Sequence, residues 1–303
     1  MVTPIEIDVA VPGGRLHAVR RGSVPPRASA APGSAAVLLI HGVTASHVSW
    51  QGVAQALPDL CTLAVDLRGR GASSTLPGPY GMARHADDLI ALLDAEGIEQ
   101  VLVAGHSMGG FVAMVLAHRY PERVSGLVLV DGGLPLPLPE GVDPQVLLQA
   151  LLGPALARLA ATFASREAYL DFWRVHPAFA GRWSPLIEAY ADYDLIGQAP
   201  QLHSRVSADA VRGDNTDLLT GSDLIEAVEQ LAHPAVLLQA PRGLQDEPSP
   251  LYPQPLVDSW LARLPLLSAR VVEDVNHYTI LFEPRSAALV AHHLRTDRPE
   301  ETP

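Results

Sequence analysis

The stretch that most constrains this chain runs from Gln100 to Tyr120, QVLVAGHSMGGFVAMVLAHRY. Val101 to Ala104 is a short apolar run that reads as a buried strand. Phe111, Val112, Val115 and Leu116 recur at helical spacing. Between them lies Gly105-His106-Ser107-Met108-Gly109, a G-x-S-x-G sequence in which the chain must turn sharply from strand to helix. Glycines at both ends leave room for close strand–helix packing and tolerate unusual backbone angles. Such a turn holds its serine out at the carboxyl end of a sheet, where a base can reach the hydroxyl. G-x-S-x-G alone is common. The strand before it and the helix after it separate this copy from an incidental turn.

The same rhythm continues on both sides. Ile5 to Val11 and Leu16 to Arg20 flank Pro12-Gly13-Gly14 as a hairpin, and Gly22 to Ser34 reads as a linker. Ala36 to Ile40, Leu60 to Val65, Val124 to Val130, Ala235 to Ala240 and Ala269 to Val272 read as strands. Met82 to Glu96, Gln254 to Leu264 and Pro284 to Leu294 read as helices. Strands alternating with helices imply a doubly wound α/β fold, and continuously apolar strands imply a mostly parallel sheet buried on both faces. The alternation breaks at Leu134 and resumes near Ala235. From Leu134 to Leu231 the pattern is helical, without a buried strand, and holds half of the aromatic residues. The expected organisation is a core in two parts, 1–133 and 232–303, with a helical cap inserted over 134–231.

Composition narrows the function classes. The net charge is −12, and the 21 basic residues are all arginine, which excludes lysine Schiff-base chemistry and lysine-dependent phosphate loops. Without a basic stripe, nucleic acid is not an expected partner. No apolar run reaches membrane-spanning length, and the N-terminus lacks a signal-peptide pattern, so a cytoplasmic location is expected. The single Cys61 leaves no internal disulfide or thiolate cluster, and with no His-x-x-x-His pair no protein-bound metal is expected.

A serine hydroxyl needs a base to become a nucleophile, and histidine is the usual one. Of 12 histidines, His277 follows the last strand, in a loop at the same sheet edge as Ser107. His106 is expected to point to the other side of the turn and to pack, and His41 to order the neighbouring loop. An acid must orient the imidazole. Asp131 ends the strand after the Ser107 helix. Asp246 lies in the loop after Ala235 to Ala240, beyond an intervening Pro241-Arg242-Gly243-Leu244-Gln245. Both remain candidates, with Asp131 preferred. The backbone amides of Val43 and Met108 occupy the positions of oxyanion donors. Asp66, Arg68 and Ser73 read as a network bracing the loops beneath the site.

Taken together, HGVTASHVSW, DLRGRGAS, GHSMGG and VNHYTI resemble the α/β-hydrolase fold family with a helical cap, in the chain order Ser, acid, His. That resemblance implies an eight-stranded sheet with the cap inserted after strand six. It matches Asp131 to the subset whose acid ends strand six, and Asp246 to the subset whose acid follows strand seven. A serine at the nucleophile position argues against dehalogenase or epoxide-hydrolase chemistry, which requires a carboxylate there. The expected activity is hydrolysis of a carboxylic ester or lactone of a medium-sized, hydrophobic small molecule, without cofactor. Phe163, Phe172, Trp173 and Trp183 are candidate pocket walls. C–C bond hydrolysis or cofactor-free perhydrolysis by the same residues is the alternative, with Arg166, Arg174 and Arg182 as candidate partners of a substrate carboxylate. A hydrolase-like ligand receptor is the third reading.

Overall fold

The inner strands interleave with helices because their residues point alternately to two apolar layers. Val37, Leu39, Leu102, Ala104, Val128 and Val130 join one buried cluster, and Leu38, Ile40, Val101, Val103, Leu127 and Leu129 join the other. A strand buried on both faces reads as a continuous apolar run, which is why its period is invisible in sequence.

The computed structural model describes residues 3–25, 36–136, 153 and 155–295. Strands β1 (Ile5–Val11), β2 (Gly14–Arg21), β3 (Ala36–Ile40), β4 (Thr62–Asp66), β5 (Val101–His106) and β6 (Val124–Val130) precede the break. β7 (Leu195–Gln198) and β8 (Gln201–Ser204) lie within it, and β9 (Ala235–Gln239) and β10 (Leu267–Val271) follow it. Among the described residues, eight strands form one sheet in the order β1-β2-β4-β3-β5-β6-β9-β10. In this sheet the β1–β2 and β2–β4 pairs are antiparallel and the other five are parallel. This is the doubly wound, mostly parallel sheet expected from the sequence.

Helices α1 (Gln51–Gln55), α2 (Met82–Ala95) and α3 (Met108–Arg119) cover its faces, α3 packing on β5 and β6. The break holds α4 (Arg166–Arg174), α5 (Pro185–Asp194), α6 (Ala208–Thr220) and α7 (Ser222–Glu229). α8 (Gln254–Arg263) and α9 (Pro284–His293) follow the break. Tyr169, Trp173, Phe179 and Tyr190 from the break are buried in the same cluster as Leu39 and Val130.

One element departs from the helical reading of 134–231. β7 and β8 form a two-stranded antiparallel hairpin, pairing Leu195 with Ser204 and Gln198 with Gln201. Gln198 and Gln201 are exposed, so the hairpin buries too little to leave an apolar run in the sequence. Most of the linker from Gly22 to Ser34, the apolar stretch from Val146 to 152 and the tail from Thr296 lie outside the described residues.

Candidate active site

The turn after β5 is held by backbone contacts too close for any side chain. A Cβ on Gly105 would lie 2.1 Å from the Gly109 carbonyl oxygen, and one on Gly109 would lie 2.2 Å from that of Ile40. Glycine serves both positions through close approach. The unusual backbone angle belongs to Ser107 itself, at φ 54° and ψ −123°, a conformation that costs a non-glycine residue roughly 1–3 kcal/mol. The Ser107 amide donates to the Val130 carbonyl at 3.0 Å, and its carbonyl accepts from Gly110 at 2.9 Å. Gly132, just after β6, supports the same residue: a Cβ there would sit 2.1 Å from the Ser107 carbonyl oxygen.

Ser107 and His277 border one cleft, together with the loop after β3 (Gly42 to Ala45), the loop after β9 (Leu244, Gln245) and Tyr278. Every one of these follows the carboxyl end of a strand. From the break, Phe172, Trp173, His176, Tyr190 and Arg158 close the cleft, whose empty volume of about 820 Å³ includes its open mouth. The lining is largely apolar, with Leu281 and Phe282 adding to the aromatics.

His277 Nδ1 lies 2.7 Å from Asp131 Oδ2. Asp131 is fully buried, and its Oδ1 accepts from the Ala240 amide at 3.0 Å. It stands at φ 45°, in the left-handed region that aspartate and asparagine tolerate better than most side chains. Asp246 takes a different role. It is paired with Arg242 through Nε at 2.8 Å and Nη2 at 2.9 Å, and accepts from Asn276 Nδ2 at 3.1 Å. The Arg242 hydrogen bonds hold its carboxyl below the ordinary range. The long 241–245 segment makes Asp246 a brace between two loops, with Asn276 tying it to the loop that carries His277.

His106 behaves differently from the packing role expected of it. Its Nε2–H donates to the His277 carbonyl at 2.8 Å, and the two rings stand 4.8 Å apart. Burial, and then the neighbouring His277, push its pKa well below 6.5, so it stays neutral and holds the His277 backbone. His41 donates from Nδ1 to the Gly42 carbonyl at 2.7 Å and accepts from the Leu67 amide at 3.0 Å. Burial lowers its pKa to about 4.

Met108 opens α3, so its amide belongs to the first turn, where helix N–H groups have no partner within the helix. Val43 lines the cleft, and its carbonyl accepts from Arg70 Nε at 2.9 Å. Arg70 is fully buried, and Asp214 on α6 pairs with it and accepts from His85 Nε2 at 3.0 Å. Burial alone would raise the Asp214 carboxyl, but His85 and Arg70 outweigh it and hold it low. Arg70 and Asp214 thus join the break to the loop of Val43, a link that sequence reasoning missed because α6 and that loop are far apart in the chain. The bracing network foreseen around Asp66 is present. Asp66 accepts from the His47 and Ala72 amides, each at 2.8 Å, and from Tyr193 at 2.6 Å. Arg68 pairs with Asp88 at 2.8 Å, and Ser73 accepts from the His17 amide at 2.8 Å. His17, His47 and Asp66 also bring three ligand-type atoms within 4.8 Å of one another, but Asp66 Oδ1 is already shared between the His47 amide and Nδ1.

Of the four aromatic residues foreseen as walls, Phe172 and Trp173 line the cleft. Phe163 instead packs edge-on against Tyr169 at 4.7 Å and exchanges backbone hydrogen bonds with Leu202. Trp183 stacks under Arg174, 5.3 Å away, outside the lining. Arg166 and Arg174 pair with acids on α4 and α5, and Arg182 reaches the Asp274 carbonyl and Glu283. Arg158 is the residue that sequence reasoning overlooked. It lies in an apolar, alanine-rich run, and nothing in that pattern marks its side chain as turned inward.

This sheet order, with a serine at the strand–helix turn and a histidine after the last strand, defines a class. The sequence model for the alpha/beta hydrolase fold matches residues 35–174, and the chain has the α/β-hydrolase fold. It is 41% identical over 129 residues to Lipase LipV of Mycobacterium tuberculosis, covering 42% of this chain and 49% of the lipase, so the match spans about half the relative's length. It is 26% identical over 268 residues to 2-hydroxymuconate semialdehyde hydrolase of Pseudomonas sp. (strain CF600), covering 85% of this chain and 86% of that protein. The crystal structure of an E-2-(acetamidomethylene)succinate hydrolase shares the fold, with a TM-score of 0.76 at 20% identity over 96% of this chain and 99% of the other.

Proposed function

We propose that this chain is a serine hydrolase that cleaves a carboxylic ester or lactone through an acyl-enzyme on Ser107. The observation that carries the reading is the 2.7 Å contact between His277 Nδ1 and Asp131 Oδ2 beside the cleft that Ser107 lines. A carboxylate on Nδ1 fixes the proton there and leaves Nε2 as the basic nitrogen. His277 then takes the Ser107 proton as Oγ attacks the carbonyl carbon, and Asp131 stabilises the imidazolium that forms. The amides of Val43 and Met108 receive the developing oxyanion. His277 returns its proton to the departing alcohol, and water, activated by the same base, releases the acid. Residues 134–231 serve as a cap that shields the acyl group, with Phe172 and Trp173 as walls for an apolar substrate. The lipase relative is in keeping with ester chemistry.

The match to a semialdehyde hydrolase along most of the chain favours a second reading, C–C bond hydrolysis by the same residues. A p-nitrophenyl butyrate assay beside γ- and δ-lactones and a vinylogous diketone separates the two. Ester or lactone turnover is expected, falling by more than about 10³-fold in Ser107→Ala. Turnover retained in that variant would overturn the mechanism, and turnover of the diketone alone would favour the second reading.

A further inference from the structure

Arg158 is a cation built into the wall of the cleft with only part of its donor set in use. It is 3% exposed. Its Nη1 donates to Tyr169 Oη at 2.9 Å, to Ser204 Oγ at 3.1 Å and to Asp194 Oδ2 at 2.5 Å. Its Nη2 has no hydrogen-bond partner among the described residues. Its guanidinium carbon lies 4.9 Å from the centre of the Trp173 ring, which occupies a face of the group and leaves its edge for an acceptor in the plane.

A guanidinium serving only to brace Asp194 would be expected to use both arms of its fork, because leaving a buried donor unpaired is costly. Here Asp194 takes one arm and is itself shared with Tyr169 and Ser204, the latter at 2.9 Å. That arrangement fixes the orientation of the guanidinium and leaves its second arm unused. The described lining of the cleft contains this one guanidinium and no aspartate or glutamate. Burial and the nearby Arg158 charge lower His176 to about 4, so that histidine is neutral at pH 7.

We propose that the Nη2 edge of Arg158 receives a carboxylate of the substrate, so that the site takes an anionic substrate with its carboxylate remote from the scissile bond. A monoanion fits better than a phosphate dianion, because Asp194 already offsets much of the guanidinium charge. Describing the ligand as a substrate rests on the hydrolase reading of Ser107; the binding of a carboxylate does not.

The test compares the p-nitrophenyl monoesters of succinic, glutaric and adipic acids with neutral p-nitrophenyl esters of the same chain lengths. Acetate esters of ω-hydroxy acids and of simple alcohols place the charge on the other side of the bond. Assays run at 0.15 M salt, where the overall negative charge of the protein is largely screened beyond about 8 Å. The readout is the ratio of kcat/KM for anionic over neutral partners, so each variant's own neutral rate is the reference. Wild type is expected to favour an anionic partner by at least tenfold. Arg158→Gln should lower the ratio by about 10- to 100-fold, mainly through KM, and Arg158→Lys should restore part of it. A wild-type ratio at or below one, or one unchanged in Arg158→Gln, would overturn the proposal and leave the hydrolase reading standing. If wild type turns over none of these compounds, the hydrolase reading fails, and calorimetry with glutarate on wild type and Arg158→Gln decides the anion site alone. Binding lost in the variant supports it, and binding absent from or equal in both overturns it. Should Arg158→Gln not fold, wild type must still bind glutarate at least tenfold more tightly than glutaramide; equal affinity would overturn the proposal.

Discussion

Replacing Asp131 by asparagine tests the site through one proton. Asp131 Oδ1 accepts from the Ala240 amide at 3.0 Å, so an asparagine keeps its carbonyl oxygen on that side. Its NH2 group then faces His277 Nδ1, at the position where Oδ2 now stands 2.7 Å away. Nδ1 must accept from it, the proton moves to Nε2, and the nitrogen left for Ser107 is no longer basic. Forcing the wrong tautomer on a catalytic histidine costs about 10⁴-fold in kcat, or about 5.5 kcal/mol at roughly 1.4 kcal/mol per tenfold. The fold should survive, since asparagine tolerates the φ of 45° at this position. Steady-state hydrolysis of a p-nitrophenyl ester is expected to show kcat lower by about 10³- to 10⁴-fold with KM within about threefold. Asp246→Asn, which alters a brace on Arg242 and Asn276, should stay within about tenfold of wild type in kcat. An Asp131→Asn enzyme within tenfold of wild type, or a greater loss in Asp246→Asn, would refute the assignment of the acid.

Two further outcomes follow from the packing and from the buried histidines. Gly132→Ala places a Cβ 2.1 Å from the Ser107 carbonyl oxygen and 2.5 Å from its Cα. It should destabilise the protein by about 1–3 kcal/mol in urea unfolding and lower kcat by roughly 10²-fold through displacement of the nucleophile; unaltered values of both would contradict the packing described. His41, lowered from 6.5 to about 4, stays neutral in the folded chain at pH 5, whereas the unfolded chain takes up a proton. Stability is therefore complete above about pH 6.5 and declines as the pH falls towards 4, with this residue contributing about 2 kcal/mol of loss by pH 5. The Asp214 carboxyl, held low by His85 and Arg70, acts in the same direction at still lower pH. Urea midpoints that fall from pH 7.5 to pH 5 are expected, and midpoints that rise would contradict the sign.

The core was legible because its strands are continuously apolar and its helices periodic, and Ser107 because the turn needs glycine on both sides. His277 could be chosen from position alone, since ligand sites form at the carboxyl edge of such a sheet. Asp131 was preferred but Asp246 stayed a candidate, because both follow strands at that edge and the difference lies in which side chain turns towards the imidazole. Both adopt positive φ, 45° and 61°, so even backbone strain does not distinguish them. The β7–β8 hairpin went unread because its short strands leave no apolar run. The cleft-facing side of the break was the least legible part. Arg158 looks like a solvent-facing residue in its own helix and is buried only through partners from α4, α5 and β8. Trp173 reaches the cleft while Trp183 does not, and both carry the same sequence signal.

The central claim, that Ser107 is the nucleophile and His277 its base, is most directly tested by stoichiometric labelling with a fluorophosphonate, followed by peptide mass spectrometry. The account predicts one adduct per chain, located on Ser107, formed at a rate that falls by at least 10²-fold in Asp131→Asn and is abolished in Ser107→Ala. An adduct on another residue, or labelling of Ser107→Ala at the wild-type rate, would contradict it.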